Sequence, residues 1–276
     1  MYRLDDAQAA LAQFAQEHPS LSGPAALLRE VLPLLFTDHC VASLALGETA
    51  ALEKLRHSYP LFRGDTVRTD PGHLRRRWTI VCEAISRHQS LSNAETLAEA
   101  VRCGGLPIDE LLFGVLDLQD DALAERAAAI EVSADLLMSA LRLTLLPVLA
   151  AAREACSPRV AKQRWHRGLC AWCGRRPMLA ELRGLEQLRY LRCGWCAADW
   201  EFPRLCCPFC ETRDHQQLGY FEIEGQTKQR AATCDNCRGY LKTMFTLSAL
   251  DPPSLLVADL TSMHLDLAAA EREFVG

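Results

Sequence analysis

Four Cys-x-x-Cys pairs, Cys170/Cys173, Cys193/Cys196, Cys207/Cys210 and Cys234/Cys237, fall in the C-terminal half of a 276-residue chain. Eight thiols at this spacing are the ligand count for two tetrahedral Cys₄ metal sites, with none to spare. A two-residue gap lets both sulfurs of a tight turn point at one ion, and two such turns complete the shell. The chain between the turns must therefore double back on itself.

The text between the pairs is built to do so. Nineteen residues separate Cys173 from Cys193 and 23 separate Cys210 from Cys234. Met178–Arg183 and Leu188–Arg192 alternate around a Gly184 turn, and Gln217–Ile223 and Gln229–Thr233 flank Glu224-Gly225. Knuckle, hairpin, knuckle thus occurs twice, giving two rubredoxin-like or zinc-ribbon metal modules in tandem. Site 1 takes Cys170, Cys173, Cys193 and Cys196; site 2 takes Cys207, Cys210, Cys234 and Cys237. An interleaved alternative pairs the first knuckle with the third and the second with the fourth, but hairpin logic favours local pairing. Trp200–Leu205 and Tyr240–Leu247 read as further strands, and Ser254 to about Glu273 as a helix packed on the module after a Pro252-Pro253 stop. Only Cys173 is followed by glycine, Gly174, which supplies a positive φ beneath the sulfur at no steric cost. Ala197, Glu211 and Arg238 hold that place elsewhere, so those knuckles must be strained or differently turned.

Up to about residue 160 the chain is rich in Ala and Leu and has a helical period. Asp5–His18 is amphipathic, and Pro24 suits the first turn of a segment running to Phe36. Helices are expected at 39–58, 73–88, 92–103 (capped by Ser92 or Asn93), 107–117 and about 120–155, the last kinked or ended at Pro147. Tyr59–Gly72 reads as a loop. The fold class is α+β and multidomain: an all-α helical bundle over 1–165, a first metal module over 166–205, and a second over 206–276 with its C-terminal helix.

Charge narrows the function. The formal net charge is −5, and from His166 onward 13 basic residues face 14 acidic ones, so the ribbon half has no basic face for nucleic acid. Two acids by position 6 and no apolar stretch make the start unlike a secretory signal. The most apolar stretch, Leu136–Ala152, is interrupted by Arg142 and Pro147 and reads as too short to span a bilayer. The cytoplasm is the expected compartment, and there clustered Cys-x-x-Cys means metal or redox chemistry rather than disulfides.

A closed Cys₄ shell leaves no open coordination position for hydrolysis, so the expectation is no enzyme. Thiolate tetrahedra suit zinc and iron alike, and the spacing does not separate them. The bland role is structural, because each ribbon is too small to hold its own core. Rubredoxin-type electron transfer is the sharper one. Dithiol exchange is disfavoured because the pairs lead into strands rather than helix N-termini. Cys40, Cys82, Cys103 and Cys156 read as small buried residues in helices, and Cys206 as a spare beside Cys207. His166 and His215 lie near knuckles but are not needed as ligands. Trp172, Trp195, Trp200, Phe202 and Phe209 are expected to shield the sulfurs, and Arg175-Arg176 to be a solvated edge.

Read in order, the half gives C-A-W-C-G-R-R-P-M, L-R-Y-L-R-C-G-W-C-A-A-D-W, R-L-C-C-P-F-C, A-T-C-D-N-C-R-G-Y-L-K and V-A-D-L-T-S-M-H-L-D. This series resembles the formate dehydrogenase accessory protein family, FdhE, over about residues 168–270. The resemblance implies a non-catalytic cytoplasmic accessory factor needed for active respiratory formate dehydrogenase. It implies contact with the molybdenum-containing catalytic subunit before export by the twin-arginine route, and rubredoxin-like iron at the eight paired cysteines. Ala171-Trp172 stands where a Pro often follows the first Cys of the family, and Cys206 is additional. A rubredoxin-like redox protein and a ribbon-type nucleic-acid module are the alternatives. No membrane insertion is expected, and a homodimer is left open.

Overall fold

The computed structural model describes residues 3–37, 40–64, 67–88, 93–156, 160, 162–225 and 227–276. Its helical half contains α1 (Leu4–Glu17), α2 (Ser22–Phe36), α3 (Glu48–Arg56), α4 (Pro71–His88), α5 (Ala94–Arg102), α6 (Ile108–Leu116), α7 (Asp120–Ala128) and α8 (Ala134–Glu154). The helices form for the reason their period suggests: α1 buries Ala7, Leu11 and Phe14 on one stripe, and α4 buries Leu74, Trp78, Val81, Cys82 and Ile85.

Three local readings change. The segment 39–58 is helical only from Glu48; Ala42–Leu44 instead forms β1, antiparallel to β2 (Val67–Thr69) from the expected loop. Gly47 interrupts the helical run, and the residues before it find ladder partners that no local pattern announces. The single helix expected over 120–155 is two. Glu131 adopts φ 57°, the Val132 N–H closes back on the Ala127 carbonyl at 3.0 Å, and Ser133 Oγ then caps α8 at Leu136 N. α8 runs through Pro147 without ending, because Leu143 to Ala150 are all buried and their packing outweighs the roughly 3 kcal/mol a helical proline costs. At the start of α5, Asn93 occupies the cap position without a side-chain bond, and Ser92 lies outside the described residues.

At 21 residues and a mean hydropathy of 1.6, α8 is long and apolar enough to cross a membrane by length and composition. Here 67% of that apolar window is buried inside the fold, against α4, α7 and β1.

The ribbon half holds β3 (Leu179–Arg183), β4 (Leu188–Arg192), β5 (Asp199–Glu201), β6 (Leu218–Phe221), β7 (Gln229–Cys234) and β8 (Tyr240–Thr246). They make one six-stranded sheet in the order β5-β4-β3-β8-β7-β6. Every neighbouring pair is antiparallel except β3 and β8, which run parallel from Ala180↔Thr243 to Arg183↔Thr246. That parallel seam fuses the two ribbons edge to edge. Under it sits Glu181, with no exposed surface, ion-paired to Arg192 and to Arg183 Nε (2.6 Å) and accepting from Leu250 N at 3.2 Å. The carboxylate is buried but fully paired, as burial of a charge requires.

The tail forms two helices, α9 (Pro252–Thr261) and α10 (Met263–Ala270), rather than one. Pro252 and Pro253 do not precede the helix; they occupy its first turn, where no N–H is needed, and Asp251 caps it through Ser254 N at 2.9 Å. α9 leaves the ribbons to pack on α1, α2 and α8, while α10 rests on β7 and β8. The tail is thus a clasp between the halves, reinforced by Arg142 and Lys242, which both hold Asp259 at 3.2 and 2.6 Å.

Candidate metal centres

All four pairs adopt one turn. In each, the N–H of the first cysteine donates to the carbonyl five residues on (Arg175, Ala198, Thr212, Gly239), all at 2.9 Å. In three, the fourth residue's N–H returns to that cysteine's carbonyl (Gly174, Ala197 and Glu211). The residue after the second cysteine has positive φ every time: Gly174 76°, Ala197 53°, Glu211 58°, Arg238 58°. The three side-chain-bearing residues accept the left-handed conformation, which costs about 1–2 kcal/mol each without glycine. The strained alternative is the one the chain uses.

The turns meet in sequence-local pairs. In the first cluster Cys170 Sγ lies 3.5 Å from Cys196 Sγ, Cys173 Sγ 3.3 Å from Cys193 Sγ, and Cys196 Sγ 3.9 Å from Cys173 Sγ. In the second, Cys207–Cys237 and Cys210–Cys234 are both 3.7 Å apart. In both clusters the outer cysteine of one turn faces the outer cysteine of the other. The sulfurs of each set lie within 4.8 Å of one another. A tetrahedron with metal–sulfur bonds near 2.3 Å has edges of about 3.8 Å, so both sets fit a thiolate-bound ion. All thirteen cysteines are free thiols among the described residues.

Backbone and amide donors point at the sulfurs. Trp195 N reaches Cys193 Sγ and Phe209 N reaches Cys207 Sγ, each at 3.4 Å, and Asn236 Nδ2 reaches Cys210 Sγ at 3.3 Å. Burial opposes ionisation of Cys210, but Asn236, the Thr212 N–H and the neighbouring thiols outweigh it and bring its pKa to about 6. At Cys193 burial is likewise outweighed, by the other three thiols and the Trp195 N–H, and the pKa falls well below the ordinary thiol value. One thiol in each cluster is thus favoured as thiolate, the form that binds a cation, while burial pushes Cys173, Cys196, Cys207 and Cys237 up.

The two clusters differ in setting. Cys170, Cys173, Cys193 and Cys196 are buried and belong to the hydrophobic core shared with the helices. The two residues between Cys170 and Cys173 dock on the loop after α3: Leu61 N donates to Ala171 O at 3.0 Å and Phe62 N to Trp172 O at 2.8 Å. The Phe62 and Trp172 rings meet at 5.6 Å, tilted by 50°. Arg175 is not a solvated edge. It is buried over the Trp195 ring, bonded to Val115 O at 2.9 Å and to Asp120 at 2.6 Å. Arg153 Nε reaches Cys196 O at 3.3 Å. The second cluster lies outside that core, with Cys210 and Cys237 half-exposed.

Trp172, Trp200 and Phe202 are buried in the core that also holds the first cluster, and Trp195 and Phe209 pack on it. Cys206 is buried but stands apart from the second cluster, its Sγ 3.7 Å from Glu211 O. His166 and His215 are exposed and outside both clusters. Of the four outlying cysteines only Cys82 is fully buried in a helix. Cys103 is exposed beyond the end of α5, and Cys40 and Cys156 are half-buried outside helices, where the chain turns polar. Sequence reasoning missed the docking loop Leu61-Phe62 and the role of Arg175, since neither leaves a local signal.

Helices clasped to a fused double ribbon define a ribbon protein with an α-helical half and two tetracysteine clusters suited to hold metal ions. Comparison with known proteins agrees. The FdhE C-terminal domain model matches residues 205–275. Proteins described as FdhE homologs are 38% identical over 117 residues in Stutzerimonas stutzeri and 40% identical over 112 residues in Pseudomonas aeruginosa. These alignments cover 41% and 38% of this chain, and only 37% and 36% of the relatives' own length. The crystal structure of the FdhE protein from Pseudomonas aeruginosa matches over 98% of this chain and 91% of that one, with a TM-score of 0.62 and 25% identity. The C-terminal part of the chain is thus similar to the FdhE C-terminal domain, and the fold of nearly the whole chain is similar to that of an FdhE protein.

Proposed function

We propose that this protein is a non-catalytic accessory factor required for the activity of a respiratory formate dehydrogenase. In this reading it binds the enzyme's catalytic subunit in the cytoplasm before export, and the eight paired cysteines hold two ions of iron or zinc. The observation that carries it is the family likeness, which runs in three dimensions along nearly the whole chain and not only through the cysteine motifs. The clusters support a role without catalysis at the metal, because four thiolates per ion leave no position for a substrate. Deleting the gene tests this directly: the catalytic subunit should be made but inactive, and should co-purify with the accessory factor from the wild type. Full formate dehydrogenase activity in the deletion strain overturns it.

One observation favours a second reading, electron transfer at the second cluster. Cys210 and Cys237 are half-exposed, which brings that ion close to a redox partner. Protein isolated without oxygen or added zinc decides it. Reversible bleaching of iron–thiolate absorbance supports electron transfer, and zinc without such absorbance removes it.

A further inference from the structure

The buried arginines of the ribbon half fall into two groups. Arg175 pairs with Asp120, Arg183 with Glu181 and Asp199, and Arg192 with Glu181. Arg189 is only 7% exposed and has no acid partner among the described residues. It spends one terminal nitrogen on the carbonyls of Pro203 and Cys206, and its Nε has no partner. Carbonyl oxygens satisfy N–H groups but leave the charge uncompensated, and an unpaired buried ion carries a penalty of several kcal/mol.

Two more guanidinium groups stand beside it. Cross-strand register runs from Arg230 through Thr243 and Ala180 to Leu191, two residues from Arg189, so both arginines project from one face of the sheet. Arg204, on the linker between the ribbons, is close enough to act on both, since its charge lowers the pKa of each. Neither Arg204 nor Arg230 forms an ion pair among the described residues; Glu222 acts on Arg230 only at a distance. Arg189 and Arg204 line a cavity of about 50 Å³ with Phe209, Leu218, Thr233 and Leu241, immediately behind Cys207 and Cys234.

We propose that this cavity is an anion site taking a single small oxyanion, an inorganic tetrahedral anion or a carboxylate group, held by Arg189 and Arg204 with Arg230 beside them. Arg189 is buried and the exposed Arg204 lines the same cavity, while the half-buried Arg230 lies over the Tyr220 and Phe245 rings nearby; an anion between the first two supplies the counter-charge that Arg189 lacks. A cavity of about 50 Å³ suits a group of that size. Its place on the linker would let occupancy brace the seam between the two clusters. The site does not depend on which enzyme the factor serves.

The test uses the full-length, metal-loaded protein at low ionic strength. Inorganic phosphate, sulfate and acetate are titrated separately by calorimetry, with chloride at matched ionic strength as the screening control. At least one oxyanion should bind saturably with one equivalent and raise the melting temperature. The tetrahedral and carboxylate arms identify which chemistry the cavity prefers. Arg204→Gln and Arg230→Gln should each weaken that binding about tenfold, as loss of a charge-assisted contact does. Arg126→Gln, on α7, should leave it unchanged. Metal content and circular dichroism of each variant report that it is folded. Absence of saturable binding, an equal response to chloride, or unchanged affinity in both variants overturns the site; the arginines would then serve only to offset the metal–thiolate charge.

Discussion

The backbone N–H of Phe62 donates to the carbonyl oxygen of Trp172 at 2.8 Å, so the helical half is hydrogen-bonded to the turn that presents Cys170 and Cys173. Leu61 makes the same bond to Ala171, and the Phe62 ring packs at a tilt against the Trp172 ring. The first cluster is therefore part of the joint between the halves, whereas the second stands clear of it.

That difference predicts unequal consequences of losing a ligand. Cys173→Ser should destabilise the whole chain, because the helical core and the first cluster are continuous. Cys210→Ser should release one metal equivalent and disorder the second ribbon while the helices persist. Metal analysis alongside far-ultraviolet circular dichroism reads both. A chelator should strip the half-exposed second cluster first, in a two-phase release. Structural ions of this type contribute about 10 kcal/mol or more to folding, so the effects should be large.

Gly168 has no room for a side chain. A Cβ there would sit 1.7 Å from the Pro208 carbonyl oxygen, on the backbone of the third knuckle. Gly168→Ala should cost about 3 kcal/mol or more, since backbone and not a mobile side chain must move. Gly47→Ala meets nothing within 4 Å and should stay within about 1 kcal/mol of wild type. Denaturant unfolding of the two variants compares them directly.

Glu211 holds the left-handed position beneath the third knuckle at φ 58°, with its side chain exposed. Glu211→Gly should stabilise the metal-loaded protein by about 0.5–1 kcal/mol, the strain relieved less the added chain entropy of glycine. An unchanged or lower denaturation midpoint would count against strain at this turn.

Asp259 ties α9 to α8 and β8. Burial acts to raise its pKa, but Lys242 and Arg142 outweigh it and hold the carboxylate below its usual range. A depressed carboxylate contributes stability that is present above its unfolded pKa and lost as pH falls through the folded one. This contribution should therefore be complete at neutral pH and decline below about pH 4. Asp259→Asn should lose about 1–3 kcal/mol at pH 7, because Arg142 loses its acid partner while Lys242 keeps Asp266 at 2.9 Å. The gap between variant and wild type should narrow in acid. Urea unfolding from pH 7 down to pH 3 measures that gap, and subtracting the two curves cancels the acid sensitivity of the metal clusters themselves.

Much of the site was legible before folding. Cysteine spacing, the Gly184 and Gly225 turns and alternating strands specify two local hairpins, and the structure gathers the cysteines as local pairing requires. These are short-range signals, so one segment carries them. Ser133 was also a readable helix start, hidden by the apolar run that continues across the break.

What the sequence by itself determined is the pair of ribbons, the eight clustered thiols and the helical character of the first half, because each follows from spacing or period within a few dozen residues. Only the tertiary structure decided that β3 and β8 join in parallel, that the tail clasps α1, and that Leu61 and Phe62 dock on the first knuckle. Those contacts join residues far apart in the chain through backbone groups and generic apolar surface. Neither carries a residue-specific pattern, so the four cysteine pairs announce two similar sites and the fold makes one of them buried and the other half-open.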